Sequence, residues 1–366
     1  MTKTTKRGAT TLLSIVGFLL IGSQAYASTL TQNLSWTIDR PGTTAKYRVT
    51  TYGDSIFAGY NTSLFNIALF AAPTVDADYL QTKWNADMEV QRRSKSGALA
   101  SGVYSEKIVG EKSYMQSANT RVVAFEMCGN DGLQARTSFK SQTGTCNYGV
   151  LNTALANCST YQASAMSYIN ANANAGTKVK AIVNLFYPGY NADNVLSGCT
   201  DSGTGAKVNM RTVFLPYIAK MNWRACNYAN TYGFKCVDAF AQYMGADYDS
   251  NADGQVDSVQ LQYVQGESEA AYVTRITATL RPLIRDSNVH YATSTTSYDY
   301  IQSDDTHPTY TGGNVSTGII PGGTASGSSA PDLADSAYVG GKTVYWNRYG
   351  HERMGWGMSV FNPTAP

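Results

Sequence analysis

From about residue 45 onward, strand-like segments alternate with segments of helical period, and that alternation leaves few architectures open to the chain. Ala45–Thr51, Met88–Arg92, Arg121–Met127, Lys178–Tyr187 and Phe234–Phe240 are short runs rich in β-branched and aromatic residues. Between them, Cys158–Ala173 and Met210–Tyr232 carry apolar residues at helical spacing, the second closed by Gly233 in the position of a helix C-cap. Strand, helix and strand repeated in this way predict right-handed crossovers and a parallel sheet with helices on both faces. Ligands of such sheets bind beyond the carboxyl ends of the strands, so the residues that follow each strand carry the functional interest.

Two stretches interrupt the alternation. About 243–300 holds an acidic loop, a helical pattern over Ser268–Arg285 and a short β-type run at Val289–Thr293; about 310–345 is rich in Gly, Ser and Thr and reads as a long surface loop. Neither has the composition of a linker, and no internal repeat occurs. The expectation is a single domain over 28–366 with insertions at those two places, acting as a monomer.

Residues 1–27 do not belong to that domain. Lys3, Lys6 and Arg7 precede the apolar run Leu12–Gly22 and the small-residue site Ala25-Tyr26-Ala27, the order of a secretory signal peptide cleaved after Ala27. Its removal takes away three of the 28 basic side chains and none of the 26 acids, so the formal +2 becomes nearly neutral. That balance excludes a nucleic-acid binder, and no later run is long enough to span a bilayer. The expected location is periplasmic or extracellular. There, the six cysteines (Cys128, Cys146, Cys158, Cys199, Cys226, Cys236) favour three disulfides over a metal site, since no C-x-x-C occurs. Short loops favour Cys146–Cys158 and Cys226–Cys236, leaving Cys128 with Cys199.

The strand ends carry the chemistry. Tyr52-Gly53-Asp54-Ser55 follows the first strand and can present a serine hydroxyl above the sheet; on its own it equally describes a helix cap. Ser94-Lys95-Ser96-Gly97 follows the second, where the Gly97 N–H is a candidate anion donor. After the third, Cys128-Gly129-Asn130-Asp131 places an amide side chain suited to an oxyanion, or an ordinary turn. Near the C-terminus, Asp304-Asp305-Thr306-His307 sets a carboxylate three residues before an imidazole, close enough to hold Nδ1–H and leave Nε2 for a serine proton. Asp305 is the alternative carboxylate. Of the other histidines, His290 lacks this context. His351 begins a zincin-like His351-Glu352, but Gly355 stands where the second His would be, and no G-x-S-x-G elbow occurs.

Taken together, Gly53-Asp54-Ser55, Gly97, Gly129-Asn130-Asp131 and Asp304-x-x-His307 resemble the four motif blocks of the SGNH (GDSL-type) hydrolase superfamily, over roughly residues 45–310. Gly350–Met354 looks like that family's terminal helix. The resemblance implies a flavodoxin-like three-layer α/β/α sandwich with a parallel central sheet. It implies Ser55 as nucleophile, His307 as general base, Asp304 as the orienting carboxylate, and an oxyanion hole from Ser55 N–H, Gly97 N–H and the Asn130 side chain. The implied activity is hydrolysis of carboxylic esters, O-acetyl esters among them, on acylated carbohydrate, aryl or short-chain substrates, with no catalytic cofactor. Acyl transfer or lipase action would use the same residues. The chain departs from the family pattern in its length, in reading Gly-Asp-Ser-Ile, and in placing Cys128 directly before the third block.

A second constellation, Asp249, Asn251, Asp253, Gln255 and Asp257 with Gly254, has the oxygen spacing of an EF-hand-type calcium loop, although Gln260 stands at the closing acidic position. It predicts a structural calcium ion stiffening the insertion. It also motivates a rival reading, a calcium-dependent binding or adhesion module on a hydrolase scaffold.

Overall fold

A computed structural model of the chain describes residues 29–61, 63–190, 192–245, 257–278, 300–302, 304–310, 314–316, 323–326, 336–339, 342–345 and 350–366. The leader, most of the calcium-type loop and Val289–Thr293 lie outside these residues.

The principal strands are β1 (Leu34–Ile38), β2 (Lys46–Gly53), β3 (Asp87–Ser96), β4 (Thr120–Phe125), β5 (Val179–Val183) and β6 (Lys235–Val237). They lie in the order β6-β5-β4-β2-β3-β1. The five from β2 to β6 are mutually parallel, so in chain order they run 2-1-3-4-5, the flavodoxin-like arrangement. The main helices are α1 (Ala72–Trp84), α2 (Gly129–Lys140), α3 (Gly149–Asn172), α4 (Met210–Tyr232) and α5 (Gly350–Ser359). α1 packs against α5 and β3, whereas α2, α3 and α4 pack on one another. Right-handed crossovers from β2 to β3 and then back across the sheet put these two groups on opposite faces, forming three layers.

Local sequence explains most boundaries. The Asn209 side chain accepts from the N–H groups of Arg211 and Thr212 to start α4, and Gly233 ends it with φ +72°. β6 stops at Val237, short of the predicted Phe240, because the Asp238 carboxylate caps a helix over Ala239–Met244. α3 starts at Gly149, earlier than the predicted Cys158.

Two expectations are corrected, and the parallel central sheet gains an antiparallel edge. The sheet is mixed at its edge, because β1 runs antiparallel to β3. Its buried Leu34, Trp36 and Ile38 alternate with Ser35 and Thr37, a two-residue period characteristic of a half-buried strand. The Gly/Ser/Thr-rich stretch contains short strands. Gly323–Ser326 runs parallel to β1, and Asn314–Ser316 pairs with Ser63–Ala68; backbone ladders need no apolar side chains, so composition hid them. Finally, the disulfides are Cys128–Cys158, Cys146–Cys199 and Cys226–Cys236. Short loop length chose correctly only for the last. Cys158 lies inside α3, whose buried face meets the start of α2, while Cys146 N–H donates to the Thr200 carbonyl beside Cys199.

Candidate active site

β2 delivers Ser55 to the carboxyl edge of the sheet at the start of a one-turn helix, Ser55–Ala58. Asp54 caps that turn, its Oδ1 accepting from Ile56 N–H at 2.9 Å. Ser55 Oγ lies 2.8 Å from His307 Nε2, and His307 Nδ1 lies 2.6 Å from Asp304 Oδ2. The carboxylate three residues before the imidazole therefore folds back onto it. Its other oxygen accepts the N–H groups of Thr306 and His307, both at 3.0 Å. Partial burial works against ionisation of Asp304, but the hydrogen bond and charge of His307 and those two N–H groups outweigh it and hold the carboxyl below its ordinary range. The Tyr60 ring stacks on the imidazole, with centroids 4.0 Å apart.

The segment around His307 is fixed by its own backbone. Gln302 N–H donates to the His307 carbonyl, and Ile301 bridges Pro308. The Gln302 amide reaches the carbonyls of Tyr60 and Pro308. Asp305, the alternative carboxylate, does not face His307. It adopts φ +57°, accepts Gly189 N–H on its carbonyl at 2.6 Å and Ala192 N–H on its carboxylate at 3.0 Å. It thereby ties the histidine loop to the turn after β5.

Asn130 opens α2 beside Ser55, but its amide is engaged. Nδ2 donates to Asp54 Oδ2 and to the Ala98 carbonyl, both at 3.0 Å. Gly97 ends β3 with φ +74°, a left-handed turn that brings Ala98 to Asn130. Asp131, given no role from sequence, accepts Ala100 N–H at 2.7 Å and so ties the 97–100 segment to α2. Burial raises its pKa to about 6. Cys128, also left-handed at φ +87°, anchors the start of α2 to α3 through its disulfide. Next to Ser55 and Asn130 opens a cleft walled by Ile56, Leu133, Leu185, Phe186, Pro188 and Thr306.

Sequence reasoning missed Glu126, at the end of β4. Its Oε1 accepts Asp54 N–H at 2.5 Å and approaches Phe57 N–H at 3.5 Å, from a fully interior position. The signal was an acid, Glu126, inside the otherwise apolar run Val122–Met127.

Asp249, Asn251, Asp253 and Gln255 of the calcium-type loop lie outside the described residues, and Asp257 begins a helix, Asp257–Leu261. Among the described residues no group of three or more His, Cys, Asp or Glu is placed to hold a metal ion, and no helix is long and apolar enough to cross a membrane.

No family model and no curated protein matches the chain. Among solved structures it is similar to a lipase from a goat rumen metagenome (15% identity, 65% of this chain and 97% of that one, TM-score 0.41). It is also similar to a phospholipase A1 from Streptomyces albidoflavus (17% identity, 64% and 99%, TM-score 0.40). A third is an acetylxylan esterase from Geobacillus stearothermophilus (12% identity, 70% and 100%, TM-score 0.33).

Proposed function

We propose that this protein is an SGNH-type serine esterase that hydrolyses carboxylic esters of small acyl groups. The observation that carries this reading is the unbroken hydrogen-bonded series Asp304–His307–Ser55 at the carboxyl edge of the sheet. In the first step Ser55 Oγ attacks the ester carbonyl while its proton passes to His307 Nε2. Asp304 holds Nδ1–H and stabilises the imidazolium that forms. His307 then returns the proton to the departing alcohol, and a water molecule attacks the acyl-enzyme by the same route in reverse.

The oxyanion would be met by the N–H groups of Ser55 and Gly97 and by the Asn130 amide. For Asn130 this requires an exchange, since both its protons already have acceptors; the bond to the neutral Ala98 carbonyl is the weaker of the two. The cleft beside Ser55 is walled mainly by apolar residues, and we propose that it takes an acetyl or similarly short acyl chain. We further propose export, guided by residues 1–27; the pairing of all six cysteines in disulfides supports an oxidising destination.

The test is hydrolysis of p-nitrophenyl esters of graded acyl length by the wild type and Ser55→Ala. Acetate turnover by the wild type alone, with a serine-reactive phosphonate bound at Ser55, is the expected result. Equal inertness of both proteins toward every ester and no labelling would overturn the reading and leave the calcium-dependent binding module standing.

A further inference from the structure

We propose that Glu126 is a positioning residue for Ser55, its carboxyl group tying together the backbone on both sides of the nucleophile from inside the fold. The proposal rests on the serine-esterase reading above and adds a residue to it.

The geometry points to this role twice. First, Glu126 Oε1 receives the N–H of Asp54, directly before Ser55, at 2.5 Å, and faces that of Phe57, two residues after it, at 3.5 Å. A single oxygen thus spans the turn that presents the nucleophile. Second, Gly53 has no side chain where one would collide with this carboxyl. A Cβ there would stand 2.3 Å from Glu126 Oε1. The glycine opening the Gly53-Asp54-Ser55 block leaves room for a group on the neighbouring strand, and its own φ is not left-handed.

Glu126 does not act alone. It faces Asp54, whose Oδ1 caps the nucleophile turn and whose Oδ2 holds Asn130. Both carboxyl groups are fully interior, so only one of the two can be ionised without severe repulsion. Asp54 accepts two N–H donors on its side chain and feels the charge of His307, so it keeps the charge. Glu126 is the acid: burial first, then the Asp54 charge, push its pKa well above the ordinary value. The other charged groups facing the pair are His307 on its loop and Asp131 on α2. As an uncharged acid, Glu126 holds the turn through Oε1 without setting a second negative charge beside Asp54. Loss of its proton as pH rises through the raised pKa would place two negative charges behind Ser55 and loosen the turn.

The experiment is the pH dependence of kcat/KM on p-nitrophenyl acetate for the wild type, Glu126→Gln and Glu126→Leu, with phosphonate labelling of Ser55 in each. Glutamine keeps the shape and offers an oxygen to the two N–H groups, but cannot ionise. Glu126→Leu is expected to lower kcat by about 10²-fold with KM little changed, as for a nucleophile held slightly out of place. Glu126→Gln is expected to rescue most of that loss and to lack the decline that the wild type shows as pH rises through the Glu126 titration. Superimposable pH profiles for the wild type and Glu126→Gln would overturn the proposal, and so would full kcat in Glu126→Leu. A wild type that neither hydrolyses the ester nor takes the label would instead sink the esterase reading, and the proposal with it.

Discussion

The two sides of the Ser55–His307 hydrogen bond are built by opposite means. Ser55 is carried by the interior strand β2 and backed by Asp54, Glu126 and Asn130, all inside the fold. His307 rides on a short loop, held by local backbone hydrogen bonds and by Asp305 reaching to the turn after β5. Asp54 and Asp304 make the contrast chemical. Each accepts the N–H two residues ahead of it, yet burial raises the pKa of Asp54 whereas hydrogen bonds and the His307 charge lower that of Asp304. The same local motif thus produces different carboxylates, and solvent access decides between them.

Removing the link between the two sides has the largest expected effect. Ser55→Ala should reduce kcat/KM for p-nitrophenyl acetate by about 10⁴–10⁶-fold while leaving the melting temperature nearly unchanged. Asp304→Asn follows, with a loss in kcat of about 10⁴-fold through the wrong imidazole tautomer. The same variant tests the sign of the Asp304 shift. A lowered folded pKa contributes stability that is present above the ordinary carboxylate range and lost as pH falls through the folded value. The melting-temperature gap between wild type and Asp304→Asn should therefore be widest near neutral pH and close in acid.

Asp305→Ala removes the carboxylate bond to Ala192 N–H but keeps the backbone bond to Gly189, and tests whether the loop side depends on that side-chain anchor. We expect kcat to fall by about 10-fold to 10²-fold as His307 drifts, with KM nearly constant. An unchanged kcat would show that the loop's own backbone bonds suffice. The smallest effect is on stability alone. Asp76 lies inside α1 under the Asn362 amide, and burial raises its pKa to about 7. A raised folded pKa gives stability that is complete in acid and is lost as pH rises through that value. Asp76→Asn should consequently melt higher than the wild type at pH 8 and show no such advantage at pH 5, by thermal unfolding followed with circular dichroism.

Legibility followed the range of the interactions. Five strands and α4 could be read because each declares itself through a local period or a cap, as Asn209 and Gly233 do for α4. Ser55, Asp304 and His307, which meet in the structure, were legible because each stands in a short motif at a strand end or carries its partner three residues away. Glu126 was not. A lone acid in an apolar strand has no spacing to announce it, and its partner is 72 residues distant. Asp304 was preferred to the adjacent Asp305 on its spacing from His307; the left-handed turn that sends Asp305 toward the 189–192 turn instead is a product of the folded loop.

Periodicity, caps and motif spacing by themselves determined the parallel α/β core and brought the nucleophile block, the amide block and the histidine block to notice. Those signals are local, set by the repeat of the backbone and by contacts within a few residues. Only the tertiary structure decided which cysteines pair, that β1 lines the edge in reverse, that the Asn130 amide is already held by Asp54 and Ala98, and that a buried acid stands behind Ser55. These depend on which distant segments share the interior, where water is excluded and each polar group must find its partner across the fold.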